Sequence, residues 1–189
     1  MRRAVVITAS DRVNAGVRED VSGIGVGERL EALGFTVQRA VLPDEQATLT
    51  DVLRETAKTH DLIVTTGGTG LTPRDVTPQA TRDAIDYEIP GLAEAMRAAG
   101  RVSTPFADLS RGVVGVIGRA LVVNLPGSPR GAIESLTAIE GVLDHALETL
   151  AGPFDHDAEA GAAEMAGTAG GADSGDPRPG GTENRGLSA

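Results

Sequence analysis

Short apolar runs alternate with helix-like patterns along most of this chain. Residues 4–9 read as a fully buried strand, followed by a polar loop over 10–23. Val26, Leu30 and Leu33 then recur at helical spacing, with Gly34 as a stop. Residues 35–42 alternate as a strand, and 47–60 place Leu49, Val52, Leu53 and Ala57 on one helix face. Residues 61–65 form the next buried strand. Thr77-Pro78 predicts a helix start, a hydroxyl cap followed by a proline where no N–H is needed, and that helix runs to about Asp86. Pro90-Gly91 breaks the chain before a short helix over 92–99. Residues 113–117 and 120–124 flank Gly118-Arg119, a two-residue hairpin turn. A long helix over 128–150 closes the pattern, with Ala132, Leu136, Ile139, Leu143, Ala146 and Leu150 along one stripe. Strands alternating with helices in this way predict an α/β three-layer sandwich with a mostly parallel central sheet and one antiparallel hairpin.

The pattern stops near Gly152, and composition says why. From Pro153 to Ala189 the chain turns to Gly, Ala, Pro and acidic residues, seven acidic against two basic, which is half of the net charge of −10. Such a segment buries too little apolar surface to offset its ordering entropy, so 1–152 is read as the domain and 153–189 as a disordered acidic tail. The acidic total argues against nucleic acid as the main ligand, and three Phe, one Tyr and no Trp are too few for a base-stacking platform. Of the 17 basic residues all but Lys58 are arginine, suited to bidentate phosphate contacts. With no cysteine, disulfides, thiolate metal sites and cysteine nucleophiles are excluded. The N-terminus enters a strand at once, with neither a signal-peptide pattern nor a membrane span, so a cytoplasmic protein is expected.

Two loops then carry the chemistry. Thr65-Thr66-Gly67-Gly68-Thr69-Gly70 and Asn124-Leu125-Pro126-Gly127-Ser128-Pro129 each follow a buried strand. At the end of a parallel strand, a loop of this kind lets several backbone N–H groups converge on an anion. Arg74, Asp75 and a helix start lie within ten residues of the first loop, and Ser128-Pro129 begins a helix directly after the second. A Walker A loop is excluded, because the only lysine sits in a helix without glycines around it. Asp44 follows a strand in Leu42-Pro43-Asp44, and Asp75 follows the first glycine loop. Taken singly, each reads as a turn former or cap. Together at the carboxyl edge of a parallel sheet, two carboxylates beside two phosphate loops call for a cation, and Mg²⁺ takes one or two carboxylates plus phosphate oxygens. Ser10, Asp11 and Arg12 belong to a third polar loop after the first strand, and Arg74 and Arg12 are by their chemistry candidates for phosphate neutralisation. The three histidines lack metal-ligand spacing.

Ser10-Asp11-Arg12 with Gly16, Asp20, Ser22 and Gly23, then Leu42-Pro43-Asp44, then 65–78, then 104–111 and finally 124–129 occur in one order. That order resembles the MoaB/Mog domain family, represented by molybdopterin adenylyltransferases and a domain of gephyrin. The resemblance covers about residues 4–152 and has no counterpart for the tail. It implies a homotrimer that works in molybdenum cofactor synthesis, with partners among the other proteins of that synthesis. It implies the conversion of MgATP and molybdopterin to adenylyl-molybdopterin and pyrophosphate. On the matching positions, Asp44 and Asp75 correspond to the catalytic acidic residues. Thr66, Gly67, Gly68, Thr69 and Gly70, with Asn124, Pro126, Gly127 and Ser128, correspond to the substrate-binding loops. The resemblance also implies that Ser10, Asp11 and Arg12 lie on the same crevice and that the region 103–111 contributes to it. A nucleotide pyrophosphatase on the same fold, and a non-catalytic pterin carrier or trimeric scaffold, are the alternatives.

Overall fold

The computed structural model describes residues 2–152, so the expected tail over 153–189 lies outside the described residues. Six strands form one sheet in the order β2-β1-β3-β6-β5-β4. They are β1 (Arg3–Ala9), β2 (Thr36–Leu42), β3 (Leu62–Thr66), β4 (Tyr87–Glu88), β5 (Val114–Ile117) and β6 (Ala120–Leu125). The helices are α1 (Asp11–Asn14), α2 (Val21–Ala32), α3 (Gln46–Ala57), α4 (Thr77–Ala84), α5 (Pro90–Ser103) and α6 (Pro129–Ala151), with a 3₁₀ turn at Pro105–Leu109.

Strands β2, β1, β3 and β6 run parallel, with Val6 opposite Val64 and Val64 opposite Val123. The expected hairpin joins β5 to β6 in antiparallel register, Ile117 opposite Ala120, and Gly118 takes the turn at φ +58. Alternate strand residues face opposite layers, which is why the central strands carry continuous apolar runs. Val6, Val64, Leu121 and Val123 pack with Val26 and Leu30 of α2, Met96 of α5, and Leu136, Ile139 and Leu143 of α6. On the other face, Val5, Ile7, Ile63 and Val122 pack with Leu49 and Leu53 of α3 and Ala80 of α4. The three expected layers are therefore present. The crossovers from β1 to β2 and from β2 to β3 leave on opposite faces, so the switch in strand order falls between β1 and β3. Ligands of open α/β sheets lie outside the carboxyl ends of the strands at such a point.

Three expectations change. Pro90 does not break the chain before a helix but opens α5 itself, where its missing N–H costs nothing. That helix continues to Ser103 through Gly100, whose lack of a side chain admits Ala107: an added Cβ would lie 2.8 Å from that of Ala107. The polar stretch over 10–23 is not all loop, because Ser10 and Asp20 cap α1 and the start of α2. Thr77 is not a side-chain cap. Val76 occupies the cap position, and Thr77 is the first helical residue, its N–H donating to Gly68 O at 3.1 Å.

Candidate active site

The two glycine loops sit side by side at the carboxyl ends of β3 and β6. Thr66 Oγ1 donates to Pro126 O at 2.8 Å, and Gly67 N donates to Leu125 O at 3.2 Å. Gly67 has φ +98, and a Cβ there would fall 2.4 Å from Ala9 O, so the loop after β3 also presses on the end of β1. A Cβ on Gly127 would lie 3.1 Å from Gly67 Cα. Only glycine fits this approach of two backbones.

Asp11 and Asp44 hold each other. Asp11 N donates to Asp44 Oδ2 at 3.0 Å, and Asp44 N donates to Asp11 Oδ1 at 3.0 Å. Arg74 Nε donates to Asp11 Oδ2 at 3.0 Å, with Nη2 pairing to the same oxygen. The Asp44 backbone bond and then the Arg74 pairing hold the Asp11 carboxyl below its usual range. Asp44 is opposite in character. Burial pushes its carboxyl up, and the charges of Asp11 and Asp75 add to that, against the Asp11 N–H and Arg74. Burial also acts to raise Asp75, but the Thr72 hydroxyl and N–H, the Gly70 N–H and the Arg111 charge outweigh it and leave Asp75 lowered. Thr72 donates to Asp75 Oδ2 from its N at 2.8 Å and from Oγ1 at 2.6 Å.

These groups border two neighbouring cavities. The first, about 390 Å³, has Met96, Phe106 and Leu109 among its walls, with Arg97, Glu134 and Ser135. The second, about 420 Å³, is lined by Asp44, Asp75, Arg18, Arg74, Ser10 and Thr66 among others. Gly68, Asp75, Gly127 and Ser128 border both. The two cavities therefore meet at the ends of both glycine loops, so two ligands bound in them would adjoin there.

Residues 5–145 match the family model described as "Probable molybdopterin binding domain". This chain belongs to that family. It is 35% identical over 156 residues to the molybdopterin adenylyltransferase of Helicobacter pylori strain J99, covering 79% of this chain and 88% of that protein. It is 39% identical over 147 residues to the molybdopterin adenylyltransferase of Escherichia coli K12, covering 75% of this chain and 74% of that one. Among solved structures, it resembles the molybdopterin biosynthesis enzyme MoaB of Thermus thermophilus, with a TM-score of 0.76 and 49% identity over 81% of this chain and 98% of that one.

Within this molybdopterin binding domain, the sequence-marked residues fall into distinct places. Ser10, Thr66, Gly67, Gly68, Asp44, Arg74, Asp75, Gly127 and Ser128 all line the second cavity, and Thr69, Gly70, Asn124 and Pro126 line the first. Asp11 stands behind Asp44 as its backbone partner. Arg12 does not join them: it is exposed and lines neither cavity, because α1 turns it away from the loops, and Arg18 lines the second cavity instead. Asn124 is 1% exposed, and its amide is consumed inside the protein. Its Oδ1 accepts from Val113 N at 3.1 Å, and its Nδ2 donates to Thr65 Oγ1 and Thr81 Oγ1, each at 2.9 Å. The Ser128 hydroxyl caps α6 by accepting from Gly131 N at 3.2 Å.

Arg111 ends the 104–111 segment that carries part of the resemblance, without a role of its own there. Its Nε donates to Gly70 O at 2.6 Å, its Nη2 to Asp75 O, and its backbone N to Thr69 O at 2.9 Å. It clamps the segment that carries Asp75. Arg97 lies on a helix read only from the Pro90-Gly91 break before it, and Glu134 on one read only for its apolar stripe; neither reading carries a signal that a polar residue faces a cavity.

Proposed function

We propose that this chain transfers an adenylyl group from ATP to molybdopterin, giving adenylyl-molybdopterin and pyrophosphate, a step of molybdenum cofactor synthesis. The observation that carries the reading is the wall shared by the two cavities, made of Gly68, Gly127, Ser128 and Asp75. The names of the relatives favour transfer over pyrophosphate hydrolysis or pterin carriage.

In this reading, an oxygen of the pterin's phosphate attacks the α-phosphorus of ATP, and the bond from that phosphorus to the β-bridging oxygen breaks. The nucleophile is already an anion, so no side chain need remove a proton. The protein's part is alignment and charge neutralisation. The loops 66–70 and 126–128 hold the two phosphate groups against each other, and Arg74 and Arg18 face the polyphosphate side. Asp44 and Asp75 would hold Mg²⁺. Both line the second cavity, Asp44 Oδ1 points towards Gly68, and Asp75 keeps Oδ1 clear of the Thr72 bonds. Two carboxylates completed by phosphate oxygens suit the donor set that Mg²⁺ takes. When bound, the cation supplies the positive charge that lets carboxylates and phosphates share one cleft.

The same reading takes the chain as a cytoplasmic homotrimer with its function in residues 1–152, resting on the family resemblance. Sizing with light scattering checks the trimer. The decisive assay supplies MgATP with and without molybdopterin. Pterin-dependent incorporation of AMP is the expected result, whereas pterin-independent loss of ATP, or pterin retention without turnover, would replace transfer by hydrolysis or carriage.

A further inference from the structure

Glu134 has no task in handling anions, yet it faces a site built for them. It lies in the second turn of α6 and lines the first cavity with Met96, Arg97, Phe106 and Ser135. Its Oε1 accepts from Ser103 Oγ at 2.7 Å and from Arg130 Nε at 2.7 Å, while Arg130 Nη2 donates to Ser103 Oγ at 2.9 Å. This closed ring of three hydrogen bonds ties the end of α5 to the start of α6 and holds the carboxylate in one orientation. The Ser103 hydroxyl, then Arg130, keep its carboxyl below the usual range, so it stays charged. Among the described residues, Oε2 has no hydrogen-bond partner.

A fixed carboxylate next to phosphate cradles repels an incoming anion unless the ligand turns hydrogen-bond donors towards it. The two substrates of the proposed reaction differ at this point. Along adenine's amino edge, the exocyclic N–H₂ donor is flanked by ring nitrogens that carry lone pairs. A pterin's 2-amino group and N3–H are adjacent donors, and they present an oxygen anion with donors only. The cavities differ to match. Met96, Phe106 and Leu109 offer apolar cover for the faces of a ring in the first cavity. The second gathers Asp44, Asp75, Arg18 and Arg74, which suit a cation and a polyphosphate.

We propose that Glu134 determines specificity for the pterin, its carboxylate reading the 2-amino and N3–H edge of the ring within the first cavity. The inference rests on the adenylyl-transfer reading above and adds to it the orientation of the substrates: pterin in the first cavity, nucleotide phosphates in the second. Arg97, a donor on the wall of the same cavity, complements the pterin's 4-oxo acceptor. Ser103 and Arg130 are positioning residues that act through Glu134.

The test compares the wild type with Glu134→Gln, which keeps the side chain's size, and with Ser103→Ala, which keeps the carboxylate but removes one of its holders. Binding of 6-hydroxymethylpterin and of its 2-oxo counterpart, a lumazine, is read by fluorescence titration alongside steady-state kinetics. The wild type is expected to favour the pterin over the lumazine by about tenfold or more, because an acceptor replaces a donor opposite a fixed carboxylate. Glu134→Gln is expected to level that preference and to raise the molybdopterin KM by about 10- to 100-fold, the range for losing a charged hydrogen bond. Its ATP KM should stay within about twofold of wild type, the mark of a contact to one substrate only. Ser103→Ala should give a smaller rise of the same kind. An unchanged pterin-to-lumazine preference in Glu134→Gln, or a loss of ATP affinity in place of pterin affinity, overturns the inference. Failure of the transfer reading is separate: the wild type would then form no adenylylated pterin, whatever its preference among the ring probes.

Discussion

Asp11 and Asp44 bind each other's backbone N–H groups through their carboxylates, two reciprocal bonds of 3.0 Å across 33 residues of sequence. One oxygen of Asp44 is therefore committed to orientation, while the other is turned to the glycine loop. Asp11→Ala removes the acceptor for the Asp44 N–H and the anchor for Arg74 at once. Turnover of adenylyl transfer should drop several-fold with little change in fold. Asp11→Asn retains an acceptor and should fall between that variant and wild type. Steady-state assays with matched circular dichroism spectra check the order.

Asp44→Asn and Asp75→Asn should each lower turnover by about a hundredfold or more, the scale for removing one group that stabilises developing charge. Pterin affinity should be kept in Asp44→Asn, whose carboxylate lines the second cavity only, while Asp75 stands on the wall that both cavities share. The double variant should lose little beyond the worse single, because groups that act as a unit are not additive. Chelation of divalent cations should abolish wild-type turnover, with recovery on adding Mg²⁺. Wild-type rates in either asparagine variant would remove the metal role.

The pH dependence should report Asp44. Its carboxyl lies above the ordinary aspartate range through burial, and it must be ionised to hold a cation. The acid limb of kcat/KM should therefore lie above that range, and Arg74→Met, by removing a charge that lowers Asp44, should move the limb further up. For stability the sign is the reverse of a salt-bridged aspartate. The folded protein holds the Asp44 proton more tightly than the unfolded chain, so this contribution is full below the ordinary range and is lost as pH rises through the raised value. Asp75, being lowered, contributes stability above the ordinary range that is lost as pH falls through its depressed value. Urea titrations of wild type and Asp44→Asn across the acid range check both.

Two glycines with positive φ should respond differently to alanine. At Gly118 a Cβ meets open space, so Gly118→Ala should cost about 1 kcal/mol from backbone strain alone. At Gly67 the same strain is joined by a Cβ 2.4 Å from Ala9 O, so Gly67→Ala should cost about 3 kcal/mol or more. Equal losses in denaturant unfolding would contradict the packing described for β1 and β3.

Asn124→Ala should act on the fold before it acts on the ligands. It strands the buried Val113 N–H and removes a partner from Thr65 and Thr81, a loss of about 2–4 kcal/mol. Substrate KM values measured well below the unfolding temperature should change far less than stability does.

Much of this was legible in the chain because local physics carried it. The apolar runs of β1, β3 and β6 mark strands buried on both faces, and Gly67-Gly68 sits where two backbones meet. Asp44 and Asp75 could be paired because carboxyl ends of parallel strands share one edge. The rest depends on contacts that no local pattern encodes. Thr77 looks like a cap in sequence, but Val76 takes that place once the helix is tied to Gly68. Asn124 looks like a ligand group because it ends a strand beside a loop, yet three partners from β3, α4 and the β5 approach absorb its amide. Arg12 and Arg18 are equally basic, and only the turn of α1 decides which faces the cavity. Glu134 is one polar residue of an amphipathic helix until α5 packs beside it.

The contact between Gly67 and Gly127 makes the two loops a single rigid jig. In the proposed reaction, strand register then sets the gap between the two phosphates, and neither loop can swing without displacing its neighbour. Such alignment precedes any ligand, so turnover is predicted to follow the entry and exit of the two cargoes more than a closing motion around them.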